Sequence, residues 1–253
     1  MLESYLRKRL ENKKILTMTH MVMGYPSFEV SAELVDTMVA AGVDLMELQI
    51  PFSEPIADGP VILNANQRAL ATGATVAKCM DFAGRMADTH KIPFLLMSYS
   101  NILFQQGFGP FTRAMAVKNL AGAIVPDLPP EEGADYLREM GAHQLAPIFI
   151  FSPTTPGDRM TYLDSVARGF VYCVARRGVT GTDTEFSRSM DTYLARCRRH
   201  TRLPLAVGFG VTAKKDVDFL VDRADIAVIG TQTIRLMETK GMGAVGDFLT
   251  ALT

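Results

Sequence analysis

Short apolar runs alternate with stretches of helical periodicity along the chain. The runs at 15–22, 43–49, 93–98, 121–125, 145–150, 169–174, 203–207 and 225–229 read as eight strands. They are apolar at nearly every residue rather than every second one, as in strands buried on both faces of a parallel sheet. Between them, helical spacing covers 28–40, 75–89, 109–118, 131–141, 157–167, 188–199 and 213–222, and a final stretch runs over about 231–252. In segment 28–40, Ser27 is a cap residue, and Val30, Leu34, Val35, Met38 and Val39 recur on one helical stripe. Residues 2–12 predict a further helix outside the repeat.

Strict alternation implies a parallel sheet covered by helices. Eight units favour an α/β fold closed into a (β/α)8 TIM barrel with an extra N-terminal helix. The alternative is an open doubly wound sheet. No G-x-G-x-x-G follows the first strand, which argues against the dinucleotide-binding form of that sheet. The chain has 253 residues, and such a barrel takes roughly 250, so residues 1–253 are expected to form a single barrel domain.

Composition narrows the function classes. Hydrophobic residues make up 48%, ample for a large core. A net charge of −1 leaves no basic excess for nucleic acid. Cys79, Cys173 and Cys197 are far apart, odd in number and without a CxxC, which fits a reducing compartment and supplies no metal framework. The start of the chain is polar and amphipathic, and no run of 18 apolar residues is present, so the expected location is the cytoplasm. His20, His90, His143 and His200 lack HxH or HExxH spacing, so no metal site is expected. No G-x-S-x-G or Cys–His pair marks a nucleophile.

In barrels, chemistry collects at the C-terminal ends of the strands and in the loops that follow. The informative loops here are 50–60, 99–107, 126–131, 175–187, 208–212 and 230–232. Glu47 lies inside the apolar run 43–49, where an unpaired carboxylate is costly to bury. It shares strand parity with Leu45 and Gln49, so the three point to one face. Asp58 follows in a turn before Gly59-Pro60. Two acids over one barrel mouth suit general acid–base work. The structural alternative pairs Glu47 with a buried Arg or Lys and uses Asp58 to cap a helix starting near Pro60.

Gly208-Phe209-Gly210-Val211-Thr212 follows the seventh strand and Ile229-Gly230-Thr231 the eighth. Barrels that hold phosphate commonly do so there, through backbone N–H groups; tight turns are the alternative. The polar loop from Arg176 to Asp183 suits a mobile lid or a plain surface loop. His20, Tyr99, Asn101 and Tyr172 stand near strand ends, at the mouth or in the core.

Together these motifs resemble the tryptophan synthase alpha chain family, from about Leu16 to the last helix and in order. The most specific parts are Glu47-Leu48, Pro51-Phe52-Ser53, Ala57-Asp58-Gly59-Pro60, Asn64-Ala65-Asn66 with Arg68-Ala69, Arg177-Gly178-Val179-Thr180-Gly181 and Gly208-Phe209-Gly210. The resemblance implies a (β/α)8 barrel that cleaves indole-3-glycerol phosphate to indole and glyceraldehyde 3-phosphate in tryptophan biosynthesis. It implies no cofactor in this chain. The expected partner is a β chain carrying pyridoxal phosphate, in an α2β2 heterotetramer. By the same resemblance, Glu47 is the acid–base group, and Asp58 holds the indole N–H. Thr180 orients Asp58, and Tyr172 and Phe209 flank the ring. Gly181, Gly210, Gly230 and Thr231 match phosphate-binding positions, and Asp127 and the loop after the sixth strand match the surface that communicates with the β chain.

Departures from the family pattern cluster at the ring end, where Tyr99, His20 and Gln49 are candidate substrate contacts. Gln49 replaces a glycine, His20 an aromatic residue, Glu54 an aspartate and Pro126 a small residue; Thr231 for serine is mild. An amide at Gln49 predicts a hydrogen bond to Glu47, or occupation of part of the ring pocket. Two further readings follow: a paralogue cleaving another phosphorylated substrate, and a weakly active subunit that mainly activates a β chain.

Overall fold

The structure, a computed structural model, describes residues 1–175 and 183–252, the side chains of 183–187 excepted. Eight strands close a barrel in chain order: β1 (Leu16–Val22), β2 (Leu45–Gln49), β3 (Phe94–Met97), β4 (Gly122–Ile124), β5 (Ala146–Phe151), β6 (Val171–Val174), β7 (Leu205–Gly208) and β8 (Ile226–Ile229). Every neighbouring pair is parallel, and β8 pairs back onto β1. Each strand read from an apolar run is present, within two residues at either end.

The helices are α1 (Leu2–Leu10), α2 (Phe28–Ala40), α3 (Pro60–Ala71), α4 (Val76–Thr89), α5 (Ser100–Gln106), α6 (Phe108–Val117), α7 (Ala134–Ala142), α8 (Gly157–Val166), α9 (Asp183–His200), α10 (Lys214–Leu220), α11 (Thr231–Lys240) and α12 (Met242–Leu252). Four regions differ from the sequence reading. Helix α3 fills 60–71, between the helical stretches 28–40 and 75–89. The segment 99–107, read as a loop, contains α5. Two turns are too short for periodicity to show, and the helix is held from outside: Asp127 accepts from the Ser100 N–H and hydroxyl, each at 2.8 Å. The backbone of α9 begins at Asp183, inside the segment read as the loop 175–187. The final stretch is two helices, because Gly241 takes φ +82°, a left-handed conformation that ends α11.

Strand parity sorts the core into two layers. Inward-facing Leu16, Met18, Leu45, Leu95, Ile124, Ile148, Phe170, Ile226 and Val228 fill the barrel, with Leu2 and Leu6 of α1 packed in the same cluster. The alternate residues, among them Met21, Met46, Leu48, Leu96 and Val207, pack with Leu34, Met38, Phe82, Met140 and Leu249 of the helices. Asp44, fully buried just before β2, ties α1 to the barrel. Its carboxylate accepts from Arg9 (2.5 Å), Lys13 (3.0 Å) and the Thr17 N–H (2.9 Å), while its carbonyl accepts from the Tyr5 hydroxyl (3.0 Å). Among the described residues, no helix is long and apolar enough to cross a membrane.

Candidate active site

At the C-terminal ends of the strands the barrel opens into a cavity of about 400 Å³. Ile62, Met97, Ile124, Ile150, Val174 and Val228 make much of its wall apolar. Polar groups stand on two sides.

On the β1–β2 side are the acids. The register sets His20 of β1 opposite Glu47 of β2, and both side chains point inward. His20 Nδ1 and Glu47 Oε1 are 2.8 Å apart, with both residues almost completely buried. The Tyr172 hydroxyl donates to the same oxygen at 3.4 Å. Glu47 Oε2 and His20 Nε2 are buried with no hydrogen-bond partner among the described residues. Burial alone would drive the His20 imidazole down. The Glu47 carboxylate, with Asp58 further off, outweighs it and leaves His20 above the ordinary histidine value. Burial, then Glu47, pushes the Tyr172 hydroxyl well above the usual range, so it is a donor here and not a base.

Asp58 is held in place rather than used as a cap. Gly59 is the N-cap of α3, with no side-chain cap bond. Asp58 Oδ2 accepts from Gln49 Nε2 at 2.7 Å and from the Tyr99 hydroxyl at 3.2 Å. Burial raises the Asp58 carboxyl pKa; His20 and the two donors pull the other way without cancelling it.

Two expectations are corrected. The Gln49 amide bonds Asp58, not Glu47, and lies 3.4 Å from Asn66 Oδ1. At the end of β2 it meets the turning chain, while Glu47, two residues earlier, meets β1 across the register. The other structural reading of Glu47, a buried Arg or Lys partner, also fails, since the partner is His20. Gln49 and Tyr99 are fully buried and lie behind Asp58, outside the cavity wall. Tyr99 stacks on Phe52 with ring centroids 5.0 Å apart, and its hydroxyl accepts from the Ala57 N–H at 3.1 Å.

On the β7–β8 side stand Gly210, Val211, Thr212, Gly230, Thr231, Gln232 and Arg235. Gly210 has φ +88°, which disfavours any side chain there. Gly208 leaves room for Tyr172, since a Cβ there would lie 3.2 Å from the phenol ring. The two helices starting here differ. Asp216 of α10 already accepts from the Thr212 and Ala213 N–H groups, at 2.8 and 3.0 Å. The first turn of α11 has no side-chain cap; its Thr233 N–H donates to the Gly230 carbonyl at 3.1 Å, and the positive end of the helix dipole at Thr231 and Gln232 borders the cavity, where it suits an anion. Arg235, one turn into α11, lines the same wall. Sequence reading missed it, although its i+4 spacing from Thr231 places the two on one helix face.

Phe209 does not line the cavity. Its ring is buried in the outer layer, edge-on to Phe219 with centroids 6.4 Å apart. It follows the last residue of β7 and turns outward, while Gly208 faces the cavity. Asn66 was quoted in a motif without a role. It accepts from the Phe52 N–H at 2.9 Å and so anchors the loop that carries Asp58. Glu54 is exposed, Pro126 lines the cavity, and Thr180 and Gly181 lie outside the described residues. No group of three His, Cys, Asp or Glu among the described residues is arranged to hold a metal ion.

A family model described as tryptophan synthase alpha chain matches residues 6–246. The chain belongs to the tryptophan synthase alpha chain family. It is 58% identical to the tryptophan synthase alpha chain of Desulforapulum autotrophicum over 252 residues, covering 100% of both chains. It is 56% identical to that of Syntrophotalea carbinolica, again over 100% of both. The crystal structure of tryptophan synthase subunit alpha from Legionella pneumophila superposes with a TM-score of 0.89 at 31% identity, covering 99% of this chain and 96% of that one. Within this family fold, the departures at His20 and Gln49 do not fill the cavity. Each supplies a hydrogen-bond partner to one of the two acids.

Proposed function

We propose that this chain cleaves indole-3-glycerol phosphate with Glu47 as its acid–base group and Asp58 as the group that holds the indole N–H. The reaction adds a proton at ring C3, which places positive charge on the ring nitrogen. The hydroxyl on the adjoining side-chain carbon loses its proton, and the carbon–carbon bond breaks. Its electron pair restores the indole, and the side chain leaves as glyceraldehyde 3-phosphate. A carboxylate fixed at the ring nitrogen stabilises charge that exists only as the reaction proceeds, so it acts on kcat.

The observation that carries this reading is one cavity with Glu47 and Asp58 on one side and the uncapped start of α11 with Arg235 on the other. The apolar part of the wall suits a flat ring. Gly210, Gly230 and Thr231 border the place for the phosphate, and Tyr172 borders the ring. Thr180 and Gly181 are proposed to complete the two ends from the loop after β6.

The whole chain is taken as one barrel domain in the cytoplasm, without a cofactor of its own. Its proposed partner is a pyridoxal phosphate-bearing β chain in an α2β2 assembly, with Asp127 near the contact. The test is indole release from indole-3-glycerol phosphate by purified protein, with and without a β chain. Glu47→Gln should abolish release while substrate still binds, and full retained activity would sink the reading.

A further inference from the structure

We propose that His20 is a positioning residue that shares a proton with Glu47, so that the pair, and not the carboxyl alone, is the proton-holding unit of the cleavage. This rests on the function proposed above. The reaction asks one carboxyl to deliver a proton to ring C3 and to remove another from a hydroxyl. A carboxylate that meets the substrate ionised has nothing to deliver. An imidazolium 2.8 Å behind it does.

The surroundings isolate the pair. Glu47 Oε1 faces His20 and Tyr172, and Oε2 has no partner among the described residues. His20 Nε2 makes no hydrogen bond of good geometry, but the Gln49 side chain faces the imidazole and also favours its protonated form. Just past β8, a Cβ added at Gly230 would lie 3.5 Å from the His20 Cβ, an ordinary contact with no charge. The other titratable groups in the cavity wall are Asp58, Tyr172 and Arg235 among the described residues. Asp58 favours the imidazolium, as Glu47 does, and together they outweigh its burial. Glu47 gives the shared proton to ring C3 and His20 is left neutral. The carboxylate then takes the hydroxyl proton as the carbon–carbon bond breaks. The pair ends with the single proton it began with, and no other reactant is needed.

The experiment measures kcat and KM for indole release by the full chain across pH, for the wild type, His20→Phe and His20→Asn. The wild type should lose kcat on the alkaline side, as the shared proton leaves. His20→Phe should lower kcat at neutral pH by about 10- to 100-fold with KM little changed, and should lack that alkaline limb. His20→Asn, which restores a donor but holds no proton, should keep KM and recover neither the rate nor the limb. A wild-type rate and pH profile in either variant would overturn the proposal.

A second readout needs no turnover. The His20 ring resonance, identified by its loss in His20→Phe, should titrate above about 6.5 in the wild type and move down in Glu47→Gln. An unmoved value overturns the proposal. Full activity in Glu47→Gln would instead defeat the proposed function. An inactive Glu47→Gln beside an unaffected His20→Phe would defeat the shared proton alone.

Discussion

Asp44 and Glu47 are three residues apart, both carboxylates, both buried, and their surroundings are opposite. Asp44 lies at the N-terminal end of the barrel with two cations and a backbone N–H on its oxygens. Glu47 lies near the C-terminal end with one oxygen bonded and the other unpartnered among the described residues. A buried carboxylate whose oxygens are occupied is inert and binds elements together. One left partly unsatisfied beside a cavity keeps the capacity to exchange a proton with whatever enters. Barrels separate these tasks by end, with stability at the bottom and chemistry at the top. Here β2 and the residue just before it serve both.

The contrast is sharpest at Glu47 itself. Glu47→Gln should lower kcat for indole release by about 10² to 10⁴-fold, with a smaller effect on thermal unfolding, since the isosteric amide still accepts a hydrogen bond from neutral His20. Asp44→Ala should do the reverse. Arg9 and Lys13 are partly exposed, so the loss is mainly that of the charge-assisted hydrogen bonds and of the partner of the buried Thr17 N–H, about 1.5–3 kcal/mol; the melting temperature should fall by several degrees, while the folded enzyme keeps its kcat. A large kcat loss in Asp44→Ala that heating curves do not explain would break the division between the two ends.

A smaller effect is expected at the contact that positions Asp58. Gln49→Ala removes the 2.7 Å donor and should lower kcat by about 10-fold, with KM little changed, if Asp58 acts only as charge develops. Steady-state kinetics at fixed pH would show it.

The smallest effect concerns stability against pH at Asp58. Its carboxyl pKa is raised in the folded chain, mainly by burial. Between the unfolded value, about 3.9, and the higher folded value, the folded state holds more protons. Stability therefore falls as pH rises through that window, and ionised Asp58 is a net cost above it. Asp58→Asn should melt higher than the wild type at neutral pH, and the gain should vanish below the unfolded value. The same variant should lose kcat. A variant that melted no higher at neutral pH would remove the idea that this end of the barrel trades stability for chemistry.

Much of this was legible in the chain. Nearly continuous apolar runs at regular intervals announced the closed parallel barrel. Glu47 and Asp58 stood out because acids in or beside such runs need a reason. The glycine loops after β7 and β8 marked the β7–β8 wall of the cavity. Less was legible where a short element depends on a distant contact. The helix α5 is seven residues long and is held by Asp127 from the loop after β4. Phe209 was misplaced by motif reasoning, because a motif names a residue without the face it takes: Gly208 at the end of β7 turns in, and Phe209 just after it turns out.

The sequence by itself determined the eight strands, the barrel and which end of it would carry the acids, since burial on both strand faces and the turn chemistry are written locally. The tertiary structure alone decided whom those acids meet. Parity tells which face a side chain takes, but not its neighbour. The β1–β2 register puts His20 against Glu47, and the fold of the 50–60 loop brings Asp58 back onto Gln49 and Tyr99. Counting the Tyr172–Glu47 contact, such contacts join residues up to 125 positions apart. They depend on how far each strand slides past the next when the barrel closes, a quantity that no local stretch of sequence contains.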